Sequence, residues 1–485
     1  MKNRYFLMIC ILMILSASQI AIGQQRKNNL RQTMVTIVDE KFYINGTPTY
    51  EGVTWETSYG GSYSLEGLLM NARLVQGVFD DLNTNTRGQW AYPDTGEWDP
   101  DRNTDEFVMA MASWKENGLS GFTLNLQGGC PYGYCSSFPW DNSTFAPDGS
   151  LRDPFMQRTE RIIDRADELG LIVILGLFYF GEDGILKDEE AVRHAVRNAA
   201  TWVLEKGYTN VIIEINNECS IPAYDHEILK CEQVHELIKL VQNIEIEGRT
   251  LYASTSLAGG HVPTDNIVAV SDFILLHGNG VQDYRRITEI SEEVRNKAVY
   301  RPMPMVNNED DIPWRNQKQG WEETGNNFVA SVKSYTGWGY FDFRLPDEDT
   351  DYNLGFQSIP VNWQISSERK QNFFQLLAKI TGSPGTPLID LDFSEKIGEQ
   401  FNVTLKAGPA HIEIEKMEII VNNNIVATAN ELPKTFLMDE IDHEIMEGEH
   451  WIKARLTYSI EGRQITVESP YYKNPWWPYG GIKKD

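Results

Sequence analysis

Positive charge is scarce in this chain of 485 residues: 43 Lys and Arg stand against 69 Asp and Glu, a formal net charge of −26. Nucleic acids and anionic membrane surfaces are bound through clustered cations, so the imbalance argues against both as partners. Histidine is scarce too, at eight residues. The first core strand read from the sequence, Tyr50–Trp55, holds no His-x-His pair, which argues against a metal-dependent barrel hydrolase. No G-x-G-x-x-G or G-x-x-x-x-G-K-[ST] stretch is present to cradle a nucleotide. Long apolar runs are missing as well: Phe6–Leu15 is too short to cross a bilayer as a helix, so no membrane insertion is expected.

That short run reads instead as an export signal, residues 1–23. Lys2 and Arg4 supply the positive start, and Ala21, Ile22 and Gly23 a small-residue cleavage site. Cleavage after Gly23 leaves 462 residues (485 − 23) and removes two positive charges, taking the net charge to −28. Cys10 lies too early for a lipid-anchor site, so a soluble secreted or periplasmic protein is expected. Of the five cysteines, the four beyond the signal form two local pairs, 130/135 and 219/231. An oxidising compartment permits two disulfides, and the spacings lack the C-x-x-C of a zinc site.

What the chain does contain is a regular alternation of strands and amphipathic helices. Val35–Ile44 and Asn45-Gly46 suggest a hairpin cap. Helices are expected over 104–117, 154–169, 188–206, 226–244, 283–298, 326–335 and 366–380, several stopped by glycine. Core strands are expected near 53, 124, 174, 214, 253, 274, 305 and 340. Eight such units imply an α/β fold, a (β/α)8 TIM barrel with parallel strands, over residues 24–384. Past the Gly- and Pro-rich stretch 381–387 the pattern changes to short strands, implying a small all-β sandwich over 390–475 and a tail at 476–485.

Two of the expected strands end alike. Val211–Glu218 reads VIIEINNE and Met303–Glu309 reads MPMVNNE, each an apolar run closing on Asn-Glu. By strand count Glu218 ends the fourth strand and Glu309 the seventh, so both face the carboxyl-terminal mouth where barrel active sites lie. Singly, each is an ordinary loop carboxylate. Together they suit glycoside hydrolysis with retention, in which an acid and a nucleophile stand about 5–5.5 Å apart. Glu218 is expected to donate and then recover the proton, and Glu309 to attack as the anion. Asn217 is placed to hydrogen-bond a sugar 2-hydroxyl, or merely to cap the loop.

On these residues the chain resembles clan A of the retaining glycoside hydrolases, the superfamily of many cellulases, mannanases and β-galactosidases. Asn217-Glu218 and Glu309 match its acid/base and nucleophile positions, and the resemblance covers about residues 35–380. It implies a carbohydrate substrate and no cofactor or metal. The C-terminal segment is similar to immunoglobulin-like modules. Two features depart from the cellulase-type pattern: strand two ends in Asn125-Leu-Gln127 without an Arg, and strand six in His277-Gly-Asn279 without a Tyr.

His277 is a candidate sugar contact or carboxylate-orienting group, and Trp338 a candidate stacking floor or a packing residue. Trp55, Asn125, Gln127, Tyr179 and Asp342 fall near expected strand ends and are further substrate-binding candidates. Asp310 and Asp311 read as loop charges rather than metal ligands. The insertion-rich segments 59–105 and 130–151 are expected to shape the subsites. A non-catalytic carbohydrate-binding protein and a transglycosylase are the alternatives. The sequence does not address oligomeric state.

Overall fold

The computed structural model describes residues 31–316, 319–393, 400–409, 412–432, 434–437 and 450–473. The expected export signal and the tail from Asn474 lie outside the described residues. Eight parallel strands carry the larger part of the fold. They are β1 (Met70–Ala72), β2 (Gly121–Asn125), β3 (Ile172–Phe178), β4 (Val211–Asn216), β5 (Ala253–Ser254), β6 (Ile274–His277), β7 (Met305–Asp310) and β8 (Gly337–Tyr340). They form two four-stranded sheets, ordered β5-β4-β3-β2 and β6-β7-β8-β1. At one seam the Leu74 N–H donates to the Thr123 carbonyl at 2.9 Å, and at the other Asp272 N–H donates to the Ala253 carbonyl at 3.1 Å. This mixed α/β arrangement of parallel strands fits the expected barrel architecture.

The strands form where the sequence offers β-branched residues with cover on both faces. All six positions of β4 and all seven of β3 are buried. The helices between them start at side-chain caps: Asp99 accepts from the backbone of Asp101 and Arg102 ahead of Pro100–Glu116, and Asp188 from Ala191 ahead of Glu189–Glu205. Asp153–Leu169 ends on Gly170 at φ +70°, a left-handed C-cap that glycine adopts without steric cost. No helix among the described residues is long and apolar enough to cross a membrane.

The first barrel strand is a correction. Tyr50–Trp55 is not a core strand: Tyr50 and Gly52 take positive φ, and Thr54–Glu56 pairs antiparallel with Ser62–Ser64 in a small hairpin. β1 takes its place, only three residues long and parallel to β8. The count of eight is unchanged, so Glu218 still follows the fourth strand and Glu309 still lies in the seventh. Two further boundaries moved. The strand expected at 267–276 is confined to Ile274–His277 behind the short helix Asp265–Val268, and the helix expected from residue 226 begins at His235 after a single 3-10 turn.

Beyond Pro387 the chain builds two antiparallel sheets. One holds Leu388–Asp392, Gln400–Ala407 and Lys434–Leu437; the other is led by Glu413–Val421 and Trp451–Ile460. Ile389, Leu391, Phe401 and Val403 from the first share a core with Met417, Ile419, Ile452 and Leu456 from the second. Ala112 of the Pro100–Glu116 helix belongs to that same core.

Candidate active site

β4 hands its chain into a tight turn held from both neighbours, β3 and the residues after β5. Asn217 N–H donates to the Phe178 carbonyl at 3.0 Å, and Cys219 N–H to the Ser256 carbonyl at 2.9 Å. Between them Glu218 N–H donates to Ser256 Oγ at 3.0 Å, and that hydroxyl donates to Glu214 Oε1 at 2.6 Å. Glu218 itself sits at φ +56°, in the left-handed region that side chains with a Cβ disfavour. A disulfide from Cys219 to Cys231 fastens the far side of the turn. Tyr224 donates its hydroxyl to the Asn217 carbonyl.

Glu309 is buried near the carboxyl end of β7 and is gripped from three directions. Arg73, the residue after β1, is ion-paired to its Oε2 at 2.8 Å. Asn279 Nδ2 donates to its Oε1 at 2.5 Å, and Gly278 N–H to its carbonyl at 2.8 Å. The same Arg73 donates to Asn217 Oδ1 at 3.1 Å and to Gln357 Oε1 at 3.3 Å, so one guanidinium ties the β4 turn to β7. His277 closes the ring, its Nδ1 lying 2.9 Å from Glu218 Oε1 and 3.8 Å from Glu309 Oε2. One oxygen from each glutamate and one His277 nitrogen lie within 4.8 Å of one another.

Two basic groups, Arg73 and His277, stand among three carboxyls in this cluster, those of Glu218, Glu309 and Glu214. Burial works against charge on His277, yet Glu309, Glu218 and Glu214 outweigh it and its pKa is raised. Burial likewise pushes the Glu309 carboxyl up, against the pull of Arg73 and His277. Glu214 is raised by burial as well. The direction at Glu309 opposes a permanently anionic nucleophile; Arg73 and Asn279 are the contacts that favour the anion. The three-ligand cluster of Glu218, His277 and Glu309 has the reach to hold a cation. A guanidinium already 2.8 Å from Glu309 Oε2 makes it a poor divalent site, since two positive centres would compete for one oxygen.

Of the residues expected from sequence, Glu218, Glu309, Asn217 and His277 converge. Asn217 Nδ2 is buried without a hydrogen-bond partner among the described residues, a donor left unsatisfied. Tyr179 is near, its ring centroid 5.9 Å from the Arg73 guanidinium. Others do not join. Trp338 is 1% exposed, stacked on Phe328 at 4.8 Å with its indole N–H on Asp310, and is packing rather than a sugar floor. Gln127 is fully buried and structural: it accepts from Tyr179 N–H and donates to Ser143 Oγ and the Glu182 carbonyl. Trp55 is buried in the outer hairpin against Tyr63, because Tyr50–Trp55 is not a barrel strand. Asn125 is buried inside β2 opposite Gly176. Asp342 is buried in an ion pair with Arg369 at 2.7 Å.

Asp310 and Asp311 are also corrected: both are buried, and burial pushes Asp310 up to about 7. Arg73, Asn279, Glu214 and Ser256 were missed as site residues. Only Glu214 and Asn279 left a trace, as a charge inside a β-branched run and as the residue two beyond His277.

No family model matches the chain, and no curated protein matches it. Among solved structures it is similar to a Bacteroides vulgatus protein assigned provisionally to the glycoside hydrolases, at 13% identity over 92% of this chain and 82% of that one, with a TM-score of 0.44. It is similar to the endo-β-1,4-mannanase of Thermotoga petrophila at 13% identity over 76% and 94%, TM-score 0.37. A Parabacteroides merdae β-glucuronidase gives 12% identity and a TM-score of 0.41, this chain spanning 90% of itself and 50% of that protein. At these scores only the site's own geometry bears on its chemistry.

Proposed function

We propose that the chain is an exported glycoside hydrolase on a closed (β/α)8 barrel, cleaving β-glycosidic bonds with retention through a glycosyl-enzyme. One observation carries the reading: oxygens of Glu218 and Glu309, at the ends of strands four and seven, approach within 4.8 Å. Such a close approach of the two carboxylates accords with the roughly 5–5.5 Å separation of retaining pairs. The two disulfides are consistent with an exported protein.

The chemistry needs one proton shared between the two carboxylates at rest. Glu218 gives it to the departing glycosidic oxygen while Glu309 attacks the anomeric carbon and forms an ester. The leaving sugar alcohol departs, and Glu218, now anionic, takes a proton from water as that water displaces Glu309. Arg73 and Asn279 hold the Glu309 oxygens, and the open Asn217 Nδ2 is positioned to donate to a 2-hydroxyl, a contact that strengthens in the transition state.

Screening a panel of β-linked oligosaccharides, with the first-formed anomer followed by NMR, tests this directly. The expected product keeps the β configuration. Glu309→Ala is expected to lose at least about a thousandfold in kcat, and added azide to restore turnover with a glycosyl azide of inverted configuration. An inverted product from the wild type, or wild-type rates in Glu309→Ala, would overturn the assignment.

A further inference from the structure

Between β2 and the segment leading to the Asp153–Leu169 helix, a disulfide from Cys130 to Cys135 closes the six-residue loop CPYGYC. Its two tyrosines are among the few large apolar side chains left in water, Tyr132 at 41% and Tyr134 at 49% exposed. The mount beneath them is rigid. Gly133, at φ +106°, leaves no room for a Cβ, which would stand 2.4 Å from the Phe343 ring. Gln357 Nε2 donates to the Cys130 carbonyl at 2.9 Å and to that of Gly133 at 3.3 Å, and Ile359 N–H donates to the Pro131 carbonyl at 2.9 Å.

This loop stands beside the carboxylate pair. Gln357, which holds its backbone, also accepts from Arg73, the ion-pair partner of Glu309. Tyr134 turns its hydroxyl toward Asp311 Oδ2 at 3.4 Å, two residues past Glu309, and packs edge-on against Phe341 and Phe343. Burial of that hydroxyl end, with the charges of Asp311, Glu309 and Glu218, raises the phenol's pKa, placing it within electrostatic reach of both glutamates.

A half-exposed aromatic ring held on a stiff, disulfide-closed mount gives large contact area at little entropic cost on binding. We propose that Tyr134 is a sugar-binding residue of the active-site mouth, its exposed ring taking the apolar face of a pyranose unit one step beyond the two that flank the bond being cleaved. The inference rests on the glycosidase reading above and adds a substrate class to it: oligosaccharides that extend beyond the two units flanking that bond.

The test uses the full-length protein and the shortest and longest oligosaccharides that the wild type cleaves in the β-linked panel. Tyr134→Ala is expected to lower kcat/KM on the longest by about tenfold or more, the worth of roughly 1.4 kcal/mol. On the shortest it is expected to change little. Tyr134→Phe, which keeps the ring and loses the hydroxyl, is expected to restore the longest substrate, with thermal midpoints confirming that both variants fold. Equal losses on short and long substrates, no loss, or no rescue by Phe would each overturn the platform while leaving the Glu218–Glu309 assignment standing. A wild type that cleaves nothing in the panel would overturn both.

Discussion

At the scale of single residues, the two glutamates of the candidate site are held by the side chains around them. Arg73 and Asn279 each take one oxygen of Glu309, and His277 lies between the two glutamates. Asn279 stands two residues past His277, where the cellulase-type pattern has a tyrosine, and its amide donates to Glu309 Oε1. Its hydrogen bond goes to a carboxylate, so removing it is expected to cost about 1.5–3 kcal/mol where the anion matters. Asn279→Ala should therefore lower kcat by roughly ten- to a hundredfold, read by steady-state kinetics on the panel substrate at a temperature where the variant is folded. An unchanged kcat would mean that Arg73 alone keeps Glu309 in place. Asn217, Glu218, His277 and Glu309 were legible in the sequence because strand ends are marked by an abrupt change from apolar to polar residues. Arg73 was not, since an arginine after a three-residue strand looks like any loop cation until β8 is seen to pair with that strand.

At the scale of elements, the loops after β2 and β3 are locked together by a buried carboxyl. Glu182 accepts from the Trp140 indole at 2.8 Å and from Gly129 N–H at 3.1 Å, and burial pushes it up to about 8. A group raised in the fold contributes stability in full below its unfolded value of about 4.3, and that contribution is lost as pH rises through about 8. Urea midpoints measured from pH 5 to 9 should therefore fall more steeply for the wild type than for Glu182→Gln. Parallel curves would mean that Glu182 ionises as freely folded as unfolded. The elements themselves show why sequence reading succeeded for most strands and failed for the first. β3 and β4 are long, β-branched and fully buried, whereas Tyr50–Trp55 imitates a strand but is broken by positive φ at Tyr50 and Gly52. Trp338 misled in another way: a tryptophan at a strand end can face substrate or core, and only the ring of Phe328 stacked on it decides.

At the scale of the whole molecule, the C-terminal sheets are welded to the larger unit rather than tethered to it. Ala112 sits in their core, Arg463 pairs with Glu116 at 3.3 Å, and Asn353 exchanges two hydrogen bonds with the Tyr471 backbone at 2.7 and 2.9 Å. A chain ending at Pro387 would bare that face of the Pro100–Glu116 helix. It is expected to melt at least about 5 °C lower and to bind a hydrophobic dye; an unchanged melting point would mark the sheets as an independent appendage. The molecule also bears a cost at one backbone position. Glu218 holds a left-handed conformation that disfavours a Cβ by about 1–2 kcal/mol, and glycine or asparagine would sit there more comfortably. Selection for a durable fold alone would drift toward those residues. Under the proposed function, the worth of a glutamate at that position, set against the preference of its own backbone, lies in turnover rather than in persistence of the folded state.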